Sequence, residues 1–207
     1  MSARERVLVA TRNAGKLREL VPILEAHGWE AIGLDAAGIA ERPEIESSLE
    51  SGETFRENAL VKAHHFHSLS GLPTLADDSG LVVDALGGEP GVHSKRWSNR
   101  PDLSGAALDA ANNVRLLEAL SGAATRAARY VCAAAWVDDE AEFVALGRTT
   151  GRILDAEQGA LGFGYDPLFF SDDLSASFGE VSTAEKGRVS HRGRAVAALL
   201  KKIRRGS

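Results

Sequence analysis

The chain has 207 residues, 44% hydrophobic and 26% charged, which is enough for a sizeable core and an ordinary globular balance. Its 24 lysines and arginines against 29 aspartates and glutamates leave a net charge of −5. That balance argues against a binder of polymeric nucleic acid with a broad basic face, but leaves room for a local basic pocket. A single Cys132 rules out an intramolecular disulfide. With no leader pattern and no apolar run of membrane-spanning length, the sequence predicts a soluble cytoplasmic protein without a membrane partner.

Taken in order, Val7-Leu-Val-Ala10 has the character of a buried central strand. The polar loop Thr11-Arg-Asn-Ala-Gly-Lys16 follows, then Leu17, Leu20, Val21 and Leu24 at helical spacing. A loop between a strand and a helix N-terminus is a ready anion site, although this one matches neither a Walker loop nor a dinucleotide fingerprint. Pro22 conflicts with the helix and predicts a kink or a late, short helix. A second strand is expected over 29–34 and a loop over 36–51. Thr54-Phe-Arg-Glu57 then has the form of a capping box opening a helix to about Leu69. Lys62 lies close to that helix's apolar face. His64, His65 and His67 lack the partners of a zinc site and fit a solvated surface.

The densest chemistry lies in Leu75-Ala-Asp-Asp-Ser-Gly-Leu-Val-Val-Asp84. Successive residues of an extended chain point to opposite faces, so only one of Asp77 and Asp78 can face a given site. The pair is either a hairpin turn or a metal or catalytic centre, since charge ending an apolar strand is costly without a cation. A helix over about 103–117 follows, then strands over 126–137 and 142–150 joined by the hydrophilic turn Asp138-Asp-Glu140. Gly159-Ala-Leu-Gly-Phe-Gly-Tyr-Asp-Pro167 offers aromatic rings on a glycine loop, as a stacking platform or as a plug beneath it. Last, Ser190 is a natural N-cap for a helix striped by Val196, Leu199, Leu200 and Ile203. Lys186, His191, Arg192 and Arg194 crowd its start, where cations oppose the dipole and suggest an anionic or polar ligand.

The order of these motifs resembles the inosine triphosphate pyrophosphatase family from Val7 to Gly193. The resemblance rests on Thr11–Lys16, Gly52-Glu-Thr-Phe-Arg-Glu-Asn-Ala59, Ala76-Asp-Asp-Ser-Gly-Leu81, Gly88-Glu-Pro-Gly91, Gly162–Pro167 and Ser190-His-Arg-Gly193. It implies an α/β fold, a mixed central sheet flanked by helices, forming one domain over 1–207 whose two lobes hold the substrate between them, usually in a homodimer. The implied reaction is Mg²⁺-dependent hydrolysis of nonstandard purine nucleoside triphosphates (ITP, dITP, XTP) to the monophosphate and pyrophosphate. Matched onto this chain, Asp78 is the general base, and Glu50 and Asp78 are metal ligands, with Glu46 and Glu53 as alternatives to Glu50. Thr11, Asn13, Lys16 and Lys62 fall to the phosphates, and Arg12, Ala14 and Gly15 of the same loop to substrate binding. Ser79, Phe163, Gly164, Tyr165, Asp166, Lys186, His191 and Arg192 fall to the nucleotide. A pyrimidine nucleotide pyrophosphatase and a catalytically inactive nucleotide sensor are the rival readings.

Overall fold

A computed structural model describes residues 4–206. The elements run β1 (Arg6–Val9), α1 (Ala14–Ala26), β2 (Glu30–Gly33), α2 (Pro43–Ser48), α3 (Phe55–Ser70), β3 (Thr74–Val83), α4 (Gly105–Ala119), β4 (Ala127–Val137), β5 (Glu142–Ile153), β6 (Phe169–Ser171), β7 (Ala176–Ser177), α5 (Thr183–Val189) and α6 (His191–Gly206). The strands form one sheet in the order β2-β1-β3-β4-β5-β6-β7. It is mixed: β1 pairs in parallel with β2 and β3, and β6 pairs antiparallel with β5 and β7. The structure is thus the α/β fold with a mixed, helix-flanked sheet that the resemblance implies.

The chain divides into two compact units. The first contains the chain to Asp78, Cys132–Gly147, and everything from Arg192 on. Here the strand period of two sorts side chains cleanly between faces. Val7, Val9, Leu75, Cys132, Ala134 and Trp136 meet Leu20 and Leu24 of α1 and Val196, Leu199 and Leu200 of α6. Leu8, Ala76, Ala133 and Ala135 meet Ala59, Ala63 and Phe66 of α3. The second unit contains Ser79–Val131 and Arg148–His191. Its core gathers Leu81, Val83, Leu116, Tyr130, Ile153, Phe169 and Phe178.

Three expectations need correction. First, α1 is neither cut short nor delayed by Pro22, which sits inside it. Pro22 and Arg18, the residue four before it, are both exposed, so the carbonyl that loses its partner can be hydrated. Second, the stretch 36–51 is not all loop, because Pro43–Ser48 is helical. Pro43 stands in its first turn with Glu44 and Glu46, residue types suited to a helix start. Third, the C-terminal cation cluster does not lie on one helix start. Lys186 belongs to α5, and Ser190, extended at φ −64° and ψ 152°, separates α5 from α6.

The capping box forms as its sequence suggests: Thr54 accepts from Glu57 N, and Glu57 accepts from Thr54 N. It secures the helix that carries Asn58 and Lys62. Thr54→Ala should therefore lower stability by about 1 kcal/mol, read as a shifted urea midpoint with an unchanged slope.

Candidate active site

Asp77 and Asp78 lie mid-strand in β3, not in a hairpin turn. The alternation that sends Leu75 toward α1 and α6 sends Asp77 the same way. Asp78, in register with Ala76, faces α3. One dipeptide thus builds a carboxylate centre on each face of the sheet.

On the α1/α6 face, Asp77 has 1% exposure. Its Oδ2 lies 3.2 Å from Lys16 Nζ and accepts from Arg192 Nε at 3.0 Å. Arg192 Nη1 donates to Glu19, a residue of α1. Burial pushes the Asp77 carboxyl upward, but Lys16, Arg192 and Lys62 outweigh it and hold the group well below the usual carboxylate range. Cys132 lies beside it, Sγ 3.8 Å from Oδ2. Burial and the neighbouring aspartate push that thiol's pKa far up.

On the α3 face, Asp78 Oδ2 accepts from Asn58 Nδ2 at 2.9 Å, and its Oδ1 is 3.8 Å from Lys62 Nζ. Lys62 donates to Glu50 Oε1 and to the Asp77 carbonyl, each at 2.7 Å. Burial is the largest influence on Asp78 and leaves its carboxyl raised despite Lys62 and Lys16. Lys62 therefore stands between two carboxylates, Glu50 and Asp78. Among the described residues no group of three or more His, Cys, Asp or Glu is arranged as a metal site. Glu50 and Asp78, flanking Lys62, are hard oxygen donors of the kind a divalent cation takes. Of the alternatives to Glu50, Glu46 is engaged by Arg12 at 2.9 Å, and Glu53 is exposed.

The loop after β1 departs in detail from expectation. Asn13 is the N-cap of α1, its Oδ1 accepting from Lys16 N at 3.1 Å, and Thr11 Oγ1 accepts from Asn13 N. Arg12 clasps Glu46, Asp35 and the Ile39 carbonyl, so its guanidinium ties the loop to the segment leading into α2. Ala14 and Gly15 form the first turn of α1.

The second unit has its own polar cluster. Asp166 Oδ2 accepts from Lys186 Nζ at 2.5 Å and from Phe163 N at 2.9 Å. Gly162 (φ +78°) has no room for a Cβ beside the Asp166 carboxylate, so only glycine fits the turn. Phe163 is half-buried with the Lys186 ammonium 4.9 Å from its ring centre. Tyr165, at 4% exposure, is a plug and not a platform, its hydroxyl donating to the Ser94 carbonyl at 2.7 Å. Gly164 is held by Asp109 through its N–H. His191 stacks on Tyr130, with centroids 4.5 Å apart and planes 9° from parallel. Ser79, half-buried, opens this unit directly after Asp78.

Lys16, Glu50, Lys62, Asp78 and Arg192 thus all fall in the first unit, and Phe163, Asp166, Lys186 and His191 in the second. Arg192, expected on the nucleotide, has 2% exposure and serves Asp77 and Glu19. The sequence reading overlooked Glu19, Asn58 and Tyr130. Glu19 and Lys16 share a face of α1, and Asn58 and Lys62 share one of α3; polar residues on an inward face were the available signal. Tyr130 carried none, since an aromatic in a buried strand looks like core. His64 and His67 pair with Glu142 and Asp139 on the α3 surface.

The depressed Asp77 carboxyl has a definite consequence for stability. A group whose folded pKa is lowered stabilises fully above its unfolded pKa and loses that contribution as pH falls. Wild type should exceed Asp77→Asn in unfolding free energy by about 3–5 kcal/mol at neutral pH. The gap should shrink below about pH 4. Urea titrations from pH 7 to pH 3 measure it, and a gap independent of pH would show that the charge is not what matters.

The model of the Ham1 family matches residues 7–202. Similar curated proteins include the dITP/XTP pyrophosphatases of Methylococcus capsulatus, 44% identical over 97% of both chains, and Ralstonia nicotianae, 44% identical over 96% of both. Similar solved structures include a HAM1 protein from Coxiella burnetii, with TM-score 0.81 and 32% identity, covering 97% of this chain and 99% of that one. Another is a nucleoside-triphosphatase / dITP/XTP pyrophosphatase from Mycobacterium abscessus, with TM-score 0.69 and 44% identity, covering 94% and 98%.

Proposed function

This chain belongs to the Ham1 family, and from that membership we propose that it hydrolyses nonstandard purine nucleoside triphosphates (dITP, XTP and ITP) to the monophosphate and pyrophosphate. The observation that carries the reading is the placement of Lys62 between Glu50 and Asp78, with Lys16 beside the same strand. Phosphoryl chemistry asks chiefly for positioning and for cations around spreading negative charge, and this arrangement is suited to both.

In the proposed mechanism Lys16, Lys62 and the first turn of α1, with Thr11 and Asn13 shaping it, hold the phosphates. Glu50 and Asp78 would hold Mg²⁺, which would supply positive charge to offset that of the phosphates. Asp78 takes the proton from the water that attacks the α-phosphorus as the bond to the β-phosphate oxygen breaks and pyrophosphate leaves. Asp77 and Arg192 hold the strand from the opposite face.

The base falls to the second unit. Phe163, the half-buried ring, is the stacking surface; Ser79, Gly164, Asp166, Lys186 and His191 surround the nucleoside, and Tyr165 supports the loop. Inosine and xanthine carry a carbonyl acceptor at purine position 6 where adenine carries an amino donor. Lys186 brings donors only, one of them already given to Asp166, so an adenine amino group facing it would find no acceptor on that ammonium. A site built around one hydrogen bond rejects the analogue lacking it by on the order of 10⁴ in kcat/KM.

Pyrophosphate release should be fast from ITP, dITP and XTP, and slower from ATP by roughly that factor. Asp78→Asn should nearly abolish turnover while Asp138→Asn, in the β4–β5 turn, leaves it unchanged. Lys16→Ala should lower kcat/KM by about ten- to a hundredfold, and Lys201→Ala should leave it alone. Near-normal turnover in Asp78→Asn would overturn the base assignment. Tight ITP binding by a wild type without turnover would indicate a sensor, and preference for a pyrimidine triphosphate would indicate the other pyrophosphatase reading.

A further inference from the structure

Asn58 has 1% exposure, and its amide is used at both ends. Nδ2 donates to Asp78 Oδ2 at 2.9 Å, while Oδ1 accepts from Gly52 N at 2.8 Å. An ionised carboxylate only accepts and a backbone N–H only donates, so these neighbours demand one donor and one acceptor on the same small group. An amide meets that demand with two separate atoms, Nδ2 for Asp78 and Oδ1 for Gly52, where a hydroxyl would have to meet it with one. Aspartate would keep the acceptor for Gly52 but set a second carboxylate against Asp78. Position 52 is fitted around the same contact, because a Cβ there would lie 2.7 Å from Asn58 Oδ1.

We propose that Asn58 is a positioning residue for hydrolysis, fixing the rotation of the Asp78 carboxylate by holding Oδ2 and so turning Oδ1 toward the Lys62 side, where water and phosphate react. The proposal rests on Asp78 being the general base. The rotation matters because the terminal torsion of an aspartate is soft, whereas proton transfer requires the accepting oxygen within hydrogen-bond reach of the water. The tether to Gly52 also joins Asp78 to the turn that follows Glu50, so the two carboxylates beside Lys62 are set by one side chain.

The competing role is a loop tether only, and two substitutions separate the alternatives. Asn58→Asp keeps the acceptor for Gly52 and loses the donor to Asp78; Asn58→Ala loses both. With Mg²⁺ and ITP, orientation predicts that kcat falls roughly a hundredfold in both, with the Asp variant no better than the Ala variant. KM, and the calorimetric Kd for the non-hydrolysable α,β-imido analogue of ITP, should stay within about threefold of wild type, since the phosphate lysines are untouched. Gly52→Ala supplies an arm that preserves every group: its methyl would meet Asn58 Oδ1 at 2.7 Å and Glu57 Cβ at 3.1 Å, so the amide must turn, and in protein shown to be folded by circular dichroism kcat should fall about tenfold. Wild-type kcat in Asn58→Asp, or in a folded Gly52→Ala, would overturn the inference while wild-type turnover leaves the proposed function standing. So would a loss confined to KM and Kd. A wild type that releases no pyrophosphate from any of these nucleotides would overturn the proposed function and this inference with it.

Discussion

A carboxylate taken out of water inside a sheet costs several kcal/mol unless its charge is met, and at Asp77 it is met from two directions. Lys16 reaches it from α1 and Arg192 from α6, with Glu19 balancing the second positive charge. These groups come from chain positions 16 to 192, so the network can form only once α1, β3 and α6 have docked. The apolar packing of Leu20, Leu24 and Leu199 draws those helices onto the sheet; the ion pairs select the register in which they rest. With Asp77 anchored, the next residue is delivered to the opposite face in a defined place. Asp78 therefore owes its position to charges it does not touch.

The second cluster follows a different rule. Its charged pair, Lys186 with Asp166, lies against the aromatic rings of Phe163 and Phe178. Tyr130 is packed on Phe169 and Phe178 while it also carries the His191 imidazole on its face. Groups suited to contact a planar ligand are thereby part of the core, and their geometry is as rigid as the packing around them. The cost is that Tyr130 and Phe178 cannot be altered for recognition without disturbing the fold.

How far these arrangements were legible in the sequence depended on distance along the chain. The β1 run and the Thr54–Glu57 box were legible because their causes are local. The helix Pro43–Ser48 was not, since it buries no residue and shows no apolar stripe; the Arg12–Glu46 clasp, spanning 34 positions, holds it. The motif residues were recognisable as a set, but not their division of labour. Nothing near position 192 announces a partner at 77, and nothing near 58 announces one at 78. Residue types indicated phosphate chemistry, and the contacts each side chain makes could be read only in three dimensions.

The position of Cys132 gives the molecule a property unrelated to nucleotides. Alkylation requires both access and a thiolate, and this side chain has neither, being fully buried beside an aspartate that opposes its ionisation. Because it is the only cysteine in the chain, consumption of a thiol reagent reports the opening of this one layer of the sheet, as a rate when reaction outpaces reclosing and as an equilibrium when it does not. The chain thus carries an internal reporter of local unfolding beside the Asp77 carboxylate.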